Sequence, residues 1–128
     1  MVKKISLSAM TFTYLLAGLS HFTRFDYFLG LVPSFMPHPK TLVGLAGGLE
    51  ILLSFFMPFC FTRRFACYVA LFFLSISLPI DVYVIYQKGA GVPLPFWVLV
   101  SRIPFHILMM AWAFWHSLNR PIALVKIL

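Results

Sequence analysis

Five ionisable side chains sit inside apolar stretches of the chain: His21, Glu50, Asp81, Arg102 and His106. An ionisable group in hydrocarbon is costly, so each needs a partner or a wet cavity. Together they are two carboxylates, two imidazoles and one permanent cation. Imidazole exchanges protons near neutral pH, and guanidinium and imidazole N–H groups donate to a carbonyl oxygen. Arg102 and His106 are four residues apart and share one helical face. Such a set suits binding a carbonyl-bearing molecule and passing a proton through Glu50.

The surrounding chain is 128 residues long, 62% apolar and 10% charged, with a mean hydropathy of +0.97. Soluble domains are about 45–50% apolar and about 25% charged, and a domain this small cannot hide so much apolar surface. Soluble enzymes, disordered chains and disulfide miniproteins are excluded. The net charge of +7 comes from cations at segment ends, with Arg102 the exception. That pattern indicates membrane topology and argues against a nucleic-acid partner.

Four apolar runs, residues 5–22, 41–61, 65–87 and 96–118, are each long enough as helices for a hydrocarbon core of about 30 Å. Lipid forces such runs to be helical. The expected fold is all-α: a single domain over residues 1–128, forming an antiparallel transmembrane four-helix bundle. Arg63 and Arg64 form a tight turn between spans two and three, and residues 88–95 form a Gly/Pro loop. The termini and second loop carry Lys3, Lys4, Arg63, Arg64, Arg120 and Lys126. The opposite side carries Arg24, Lys40 and Lys88 with Asp26. Positive-inside bias then puts both termini in the cytoplasm, with the chain in the plasma (inner) membrane. A competing reading makes residues 1–20 a signal peptide; the length of the run and the presence of His21 count against it.

Helix rise sets the depths. His21 lies just inside the outer end of span one. Asp81 and Arg102 lie about 9 Å below the outer face, and Glu50 and His106 about 14–15 Å below it. Matching depths predict that Asp81 meets Arg102 and that Glu50 faces His106 or Arg102. The bland alternative is a structural ion pair that only holds helices together. Pro79 and Pro104 should free the carbonyls of Ser75 and Val100 and kink their helices beside the charges, which survives only in protein or next to water. Gly44, Gly47 and Gly48 predict close helix packing inside the bundle. Residues 23–40, with Tyr27, Phe28, Leu31 and Met36, form an interfacial lid over the pocket. His38 and His116 belong at interfaces, as do the tryptophans in part. Cys60 and Cys67 read as small apolar side chains. Metal binding is disfavoured because Arg102 would repel an ion.

The run Ala17-Gly18-Leu19-Ser20-His21-Phe22, then Val32-Pro33, Met36-Pro37, Gly47-Gly48-Leu49-Glu50, Arg63-Arg64, Leu78-Pro79 and Ser101-Arg102-Ile103-Pro104 resembles the DoxX-like family of small four-helix membrane proteins. The resemblance runs from about Leu15 to Arg120 and rests on the order and spacing of short motifs. It implies a four-helix bundle linked to membrane redox systems, whose members include a quinone-reducing thiosulfate oxidoreductase and an oxidative-stress complex. His21, Glu50, Pro79, Arg102 and Pro104 correspond to the family pattern. Asp81 stands where an amide is expected and His106 where glutamine is usual, so both departures add titratable groups. The resulting expectation is a redox-associated pocket for a quinone-like or amphipathic molecule, with membrane oxidoreductase subunits as partners. The alternatives are a non-catalytic accessory subunit and a small proton-coupled exporter, the latter opposed by the Arg102 charge.

Overall fold

The computed structural model describes residues 1–87 and 95–118. Those residues form five helices and no strand: α1 (Val2–Thr23), α2 (Phe25–Gly30), α3 (Pro39–Phe56), α4 (Arg63–Tyr86) and α5 (Phe96–Leu118). All but α2 are long and apolar enough to cross a membrane. Residues 88–94, most of the expected Gly/Pro loop, and residues 119–128 lie outside the described residues, and with them Lys88, Arg120 and Lys126.

Local chemistry explains most helix ends. His38, in the left-handed region with φ 51°, turns the chain, and Pro39 starts α3 with a φ already suited to a helix. The far end of α3 departs from expectation. The second span stops at Phe56 rather than Phe61, because Pro58 has no N–H to continue the helix. The connection is therefore residues 57–62, closed by Thr62 Oγ1 donating to the Phe56 carbonyl at 2.8 Å. Arg63 is not a solvated turn residue; it opens α4 and is 3% exposed. Pro79 and Pro104 lie inside α4 and α5, which continue through both. Several serine and threonine hydroxyls bond their own helix, as Thr13 Oγ1 does with the Ala9 carbonyl at 2.8 Å.

The helices pack as two pairs, α1 with α3 and α4 with α5, and the pairs touch each other sparsely. Gly18 and Gly47 bring α1 and α3 together. A Cβ on Gly18 would lie 2.6 Å from Ile51 Cγ1, and one on Gly47 would lie 2.7 Å from His21 Cβ. This corrects the expectation for Gly44 and Gly48, whose missing side chains face open space; of the expected trio only Gly47 packs.

The pairs close on each other at the N-terminal end of the bundle. There Leu7, Met10, Tyr14, Met57, Cys67 and Ala113 form a dry core. At the opposite end α2 and the following turn fold over the bundle, with Leu31 packed against Val84 and Leu99, and with Tyr27 and Phe28 beside them. Outward-facing side chains such as Phe12, Phe55, Phe72, Leu108 and Phe114 are more than half exposed. An apolar exterior of this kind fits a bilayer.

Candidate functional site

On the α4–α5 pair, Asp81 is the hub. Arg102 Nε donates to Asp81 Oδ1 at 2.9 Å, and His106 Nδ1 approaches Asp81 Oδ2 at 2.6 Å. The second contact is close but off the N–H axis, so neither of its atoms has an aligned hydrogen-bond partner. One helical turn separates Arg102 from His106, which lets both reach a single carboxylate. Arg102 Nη1 also donates to the Tyr27 hydroxyl at 3.4 Å, tying α5 to α2. The rest of the guanidinium N–H groups remain for other acceptors.

On the α1–α3 pair, Glu50 lies 3.1 Å from His21 Nδ1. This corrects the expected pairing of Glu50 with His106 or Arg102. Depth places a residue along its helix but does not say which neighbour it faces, and α3 packs on α1 rather than α5. His21 Nδ1 also lies 2.9 Å from the Ala17 carbonyl, which takes its N–H. Glu50 Oε2 is left buried without an aligned donor. The His21 ring is stacked on Phe28, centroids 3.8 Å apart, so α2 holds it from above.

The two charged groups face a common space. A cavity of about 420 Å³ is lined by His21, Glu50, Arg102 and His106, together with Phe28 and Ser77. Ligand sites commonly occupy about 300–1,000 Å³. A second cavity of about 220 Å³ shares His21, Phe28, Ser77 and Arg102, adds Asp81, and is otherwise walled by apolar side chains. The structure thus brings all five expected residues around one cleft between the helix pairs, at the end away from the dry core. Pro79 and Pro104 lie close by in sequence but line neither cavity.

One side chain departs from its expected place. His116 is 3% exposed rather than interfacial. Its Nε2 lies 3.0 Å from Ser6 Oγ, which also accepts from Trp112 Nε1 at 2.8 Å. This polar tie joins α1 to α5 at the N-terminal end, remote from the cleft. Sequence reading missed it, although Ser6 and His116 sit at corresponding heights near opposite chain ends. His38 is exposed. Among the described residues, no group of three or more His, Cys, Asp or Glu side chains is placed to hold a metal ion, and Cys60 and Cys67 are free thiols.

A family model described as a domain of unknown function (DUF8561) matches residues 10–117, a stretch that contains the whole cleft. No curated protein and no solved structure matches the chain.

Proposed function

The chain belongs to the DUF8561 family, a domain of unknown function, and from its geometry we propose that it is a membrane-embedded binding protein for a quinone-like molecule, working beside a membrane redox system. The observation that carries this reading is the pairing of opposite functions across one cavity. Arg102 offers N–H donors from one side, and Glu50 Oε2 offers an acceptor lacking an aligned donor from the other. A quinone carbonyl accepts a hydrogen bond, and the hydroxyl of its reduced form donates one. A site with both a donor and an open acceptor suits a ligand that changes between those forms.

The residues divide the work. Asp81 holds Arg102 and His106 in place, and both line the cavity where a carbonyl would sit. His21 and Glu50 form an imidazole–carboxylate pair able to hold a proton at Glu50 Oε2. The sparse seam between helix pairs leaves the cavity open to exchange, and the packed core at the other end fixes its floor. The resemblance to DoxX-like proteins supports the redox setting and membrane oxidoreductase subunits as partners. The excess of lysine and arginine at the N-terminal end supports an inner-membrane orientation with that end in the cytoplasm.

The test is equilibrium binding of a decyl-substituted dimethoxy-methylbenzoquinone to the purified protein in lipid nanodiscs. Saturable binding that weakens about tenfold in Glu50→Gln, equivalent to about 1.4 kcal/mol, is the expected result. Absence of saturable binding by the wild-type protein overturns the reading. The accessory-subunit alternative draws on the fact that each carboxylate contacts a basic side chain of its own helix pair. It predicts no quinone binding and a stoichiometric membrane partner on copurification.

A further inference from the structure

The two cavities open toward different sides of the bundle. The larger lies between α1 and α5, where Leu16 (51% exposed) and Phe105 (47%) form its rim. The smaller lies between α3 and α4, where Ala46 and Ile80 line it and Ile76 (49% exposed) marks its edge. They meet at His21, Phe28, Phe73, Ser77 and Arg102, which line both. Val32, Pro33 and Met36 roof the smaller one. The space therefore runs crosswise between the helix pairs, from one lipid-facing seam to the other, with His21 and Arg102 at its middle, Glu50 and His106 in its larger half and Asp81 in its smaller.

The chemistry of the two halves differs. His21, Glu50, Arg102 and His106 all line the larger. The α3–α4 half beyond the shared residues is apolar on walls and roof except for Asp81, whose carboxylate is engaged by Arg102 and His106. A head that accepts hydrogen bonds belongs in the first and a hydrocarbon chain in the second. The fixed charges also bear on the head. The Arg102 charge is already matched by Asp81, so an anionic head would bring a second negative charge beside Glu50. A neutral, carbonyl-bearing head avoids that repulsion.

Resting on the binding role argued above, we propose that the two cavities form one lateral passage for a single-chain amphiphile. Its neutral carbonyl head lies beside Arg102 and His106, and its chain runs beneath residues 32–36 and leaves the bundle between α3 and α4. A chain already dissolved in lipid gains little by moving into an apolar cavity, because lipid tails are as apolar as the cavity wall. Affinity is therefore a poor readout of where the chain lies, and position is the quantity to measure.

The experiment is photo-crosslinking in nanodiscs with two versions of the decyl benzoquinone, one carrying a diazirine on the ring and one at the chain end, followed by peptide mapping. The ring probe is expected to label α1 and α5 around Leu16 and Phe105. The chain-end probe is expected to label α3 and α4 around Ala46, Ile76 and Ile80. Excess chain-free benzoquinone should remove the ring label, and excess decanoate should leave it. Ala46→Phe, which fills the smaller half, should abolish chain-end labelling on α3 and α4 and keep the ring label. Chain-end labelling on α1 and α5, uniform labelling of all lipid-facing surfaces, or displacement by decanoate overturns the proposal. A displaceable ring label at α1 and α5 with no chain label at α3 and α4 overturns the passage alone and leaves the binding role standing; loss of both labels removes the two together.

Discussion

Glu50 meets His21 at 3.1 Å across the α1–α3 seam, and each stands next to a glycine that makes the meeting possible. Gly47 lies against His21 Cβ, and Gly18 lies against the backbone of Ile51, the residue after Glu50. Any larger side chain at either glycine would hold the helices apart and separate ring from carboxylate. The seam therefore both packs the pair and sets one wall of the cleft.

The glycines divide into two classes with different expected costs. Gly47→Ala places a Cβ 2.7 Å from His21 Cβ, and overpacking of this kind costs about 1–3 kcal/mol. Gly44→Ala and Gly48→Ala add a methyl where no atom lies within 4 Å and should stay within about 0.5 kcal/mol of wild type. Reversible unfolding in mixed detergent micelles measures all three. Equal losses would contradict the α1–α3 packing described here.

Asp81 and Arg102 separate a structural role from a binding one. Asp81→Asn or Arg102→Gln alone removes one member of a buried pair, and such changes cost about 3–5 kcal/mol. Combining them should recover about 1–3 kcal/mol of the summed loss. Full recovery is not expected, because His106 also contacts Asp81. The combined variant should still fail to bind the decyl benzoquinone. A double variant that regains both stability and binding would show that these charges serve helix register alone.

At the far end of the bundle, Ser6 Oγ serves both Trp112 and His116. Ser6→Ala leaves the buried His116 ring and the half-buried Trp112 N–H without that partner, at a cost of about 1–3 kcal/mol. Quinone binding by the folded variant should be unchanged, since none of these residues lines the cleft. Thermal unfolding and the binding isotherm, measured on one preparation, check both halves of the statement.

How far the site can be read from the sequence follows from what depth does and does not specify. Asp81 and Arg102 sit six residues from the facing ends of consecutive spans, so their heights match and a connected antiparallel pair brings them together. The Glu50 partner was not legible in this way, because height leaves the neighbouring helix open. A signal was nonetheless present. His21 follows Gly18 by three residues and Glu50 follows Gly47 by three, which puts each charge on the same face as its close-contact glycine. The G-x-x-x-G pattern of Gly44 and Gly48 pointed to the wrong face, since small residues permit close packing without requiring it. The end of α3 was misjudged for a simpler reason: apolar composition continues to Phe61, but the helix yields to Pro58. The lid was legible from its aromatic residues and prolines; the stacking of Phe28 on His21 was not, because it depends on how a six-residue helix turns over the bundle.

The most direct measurement is an experimental structure of the protein in lipid with the decyl benzoquinone bound. Non-protein density between Glu50 and Arg102, with α1 and α5 separated around it, is what the account predicts. A bundle whose pairs close on each other along their full length, with no density and the five ionisable side chains sealed among themselves, would contradict it.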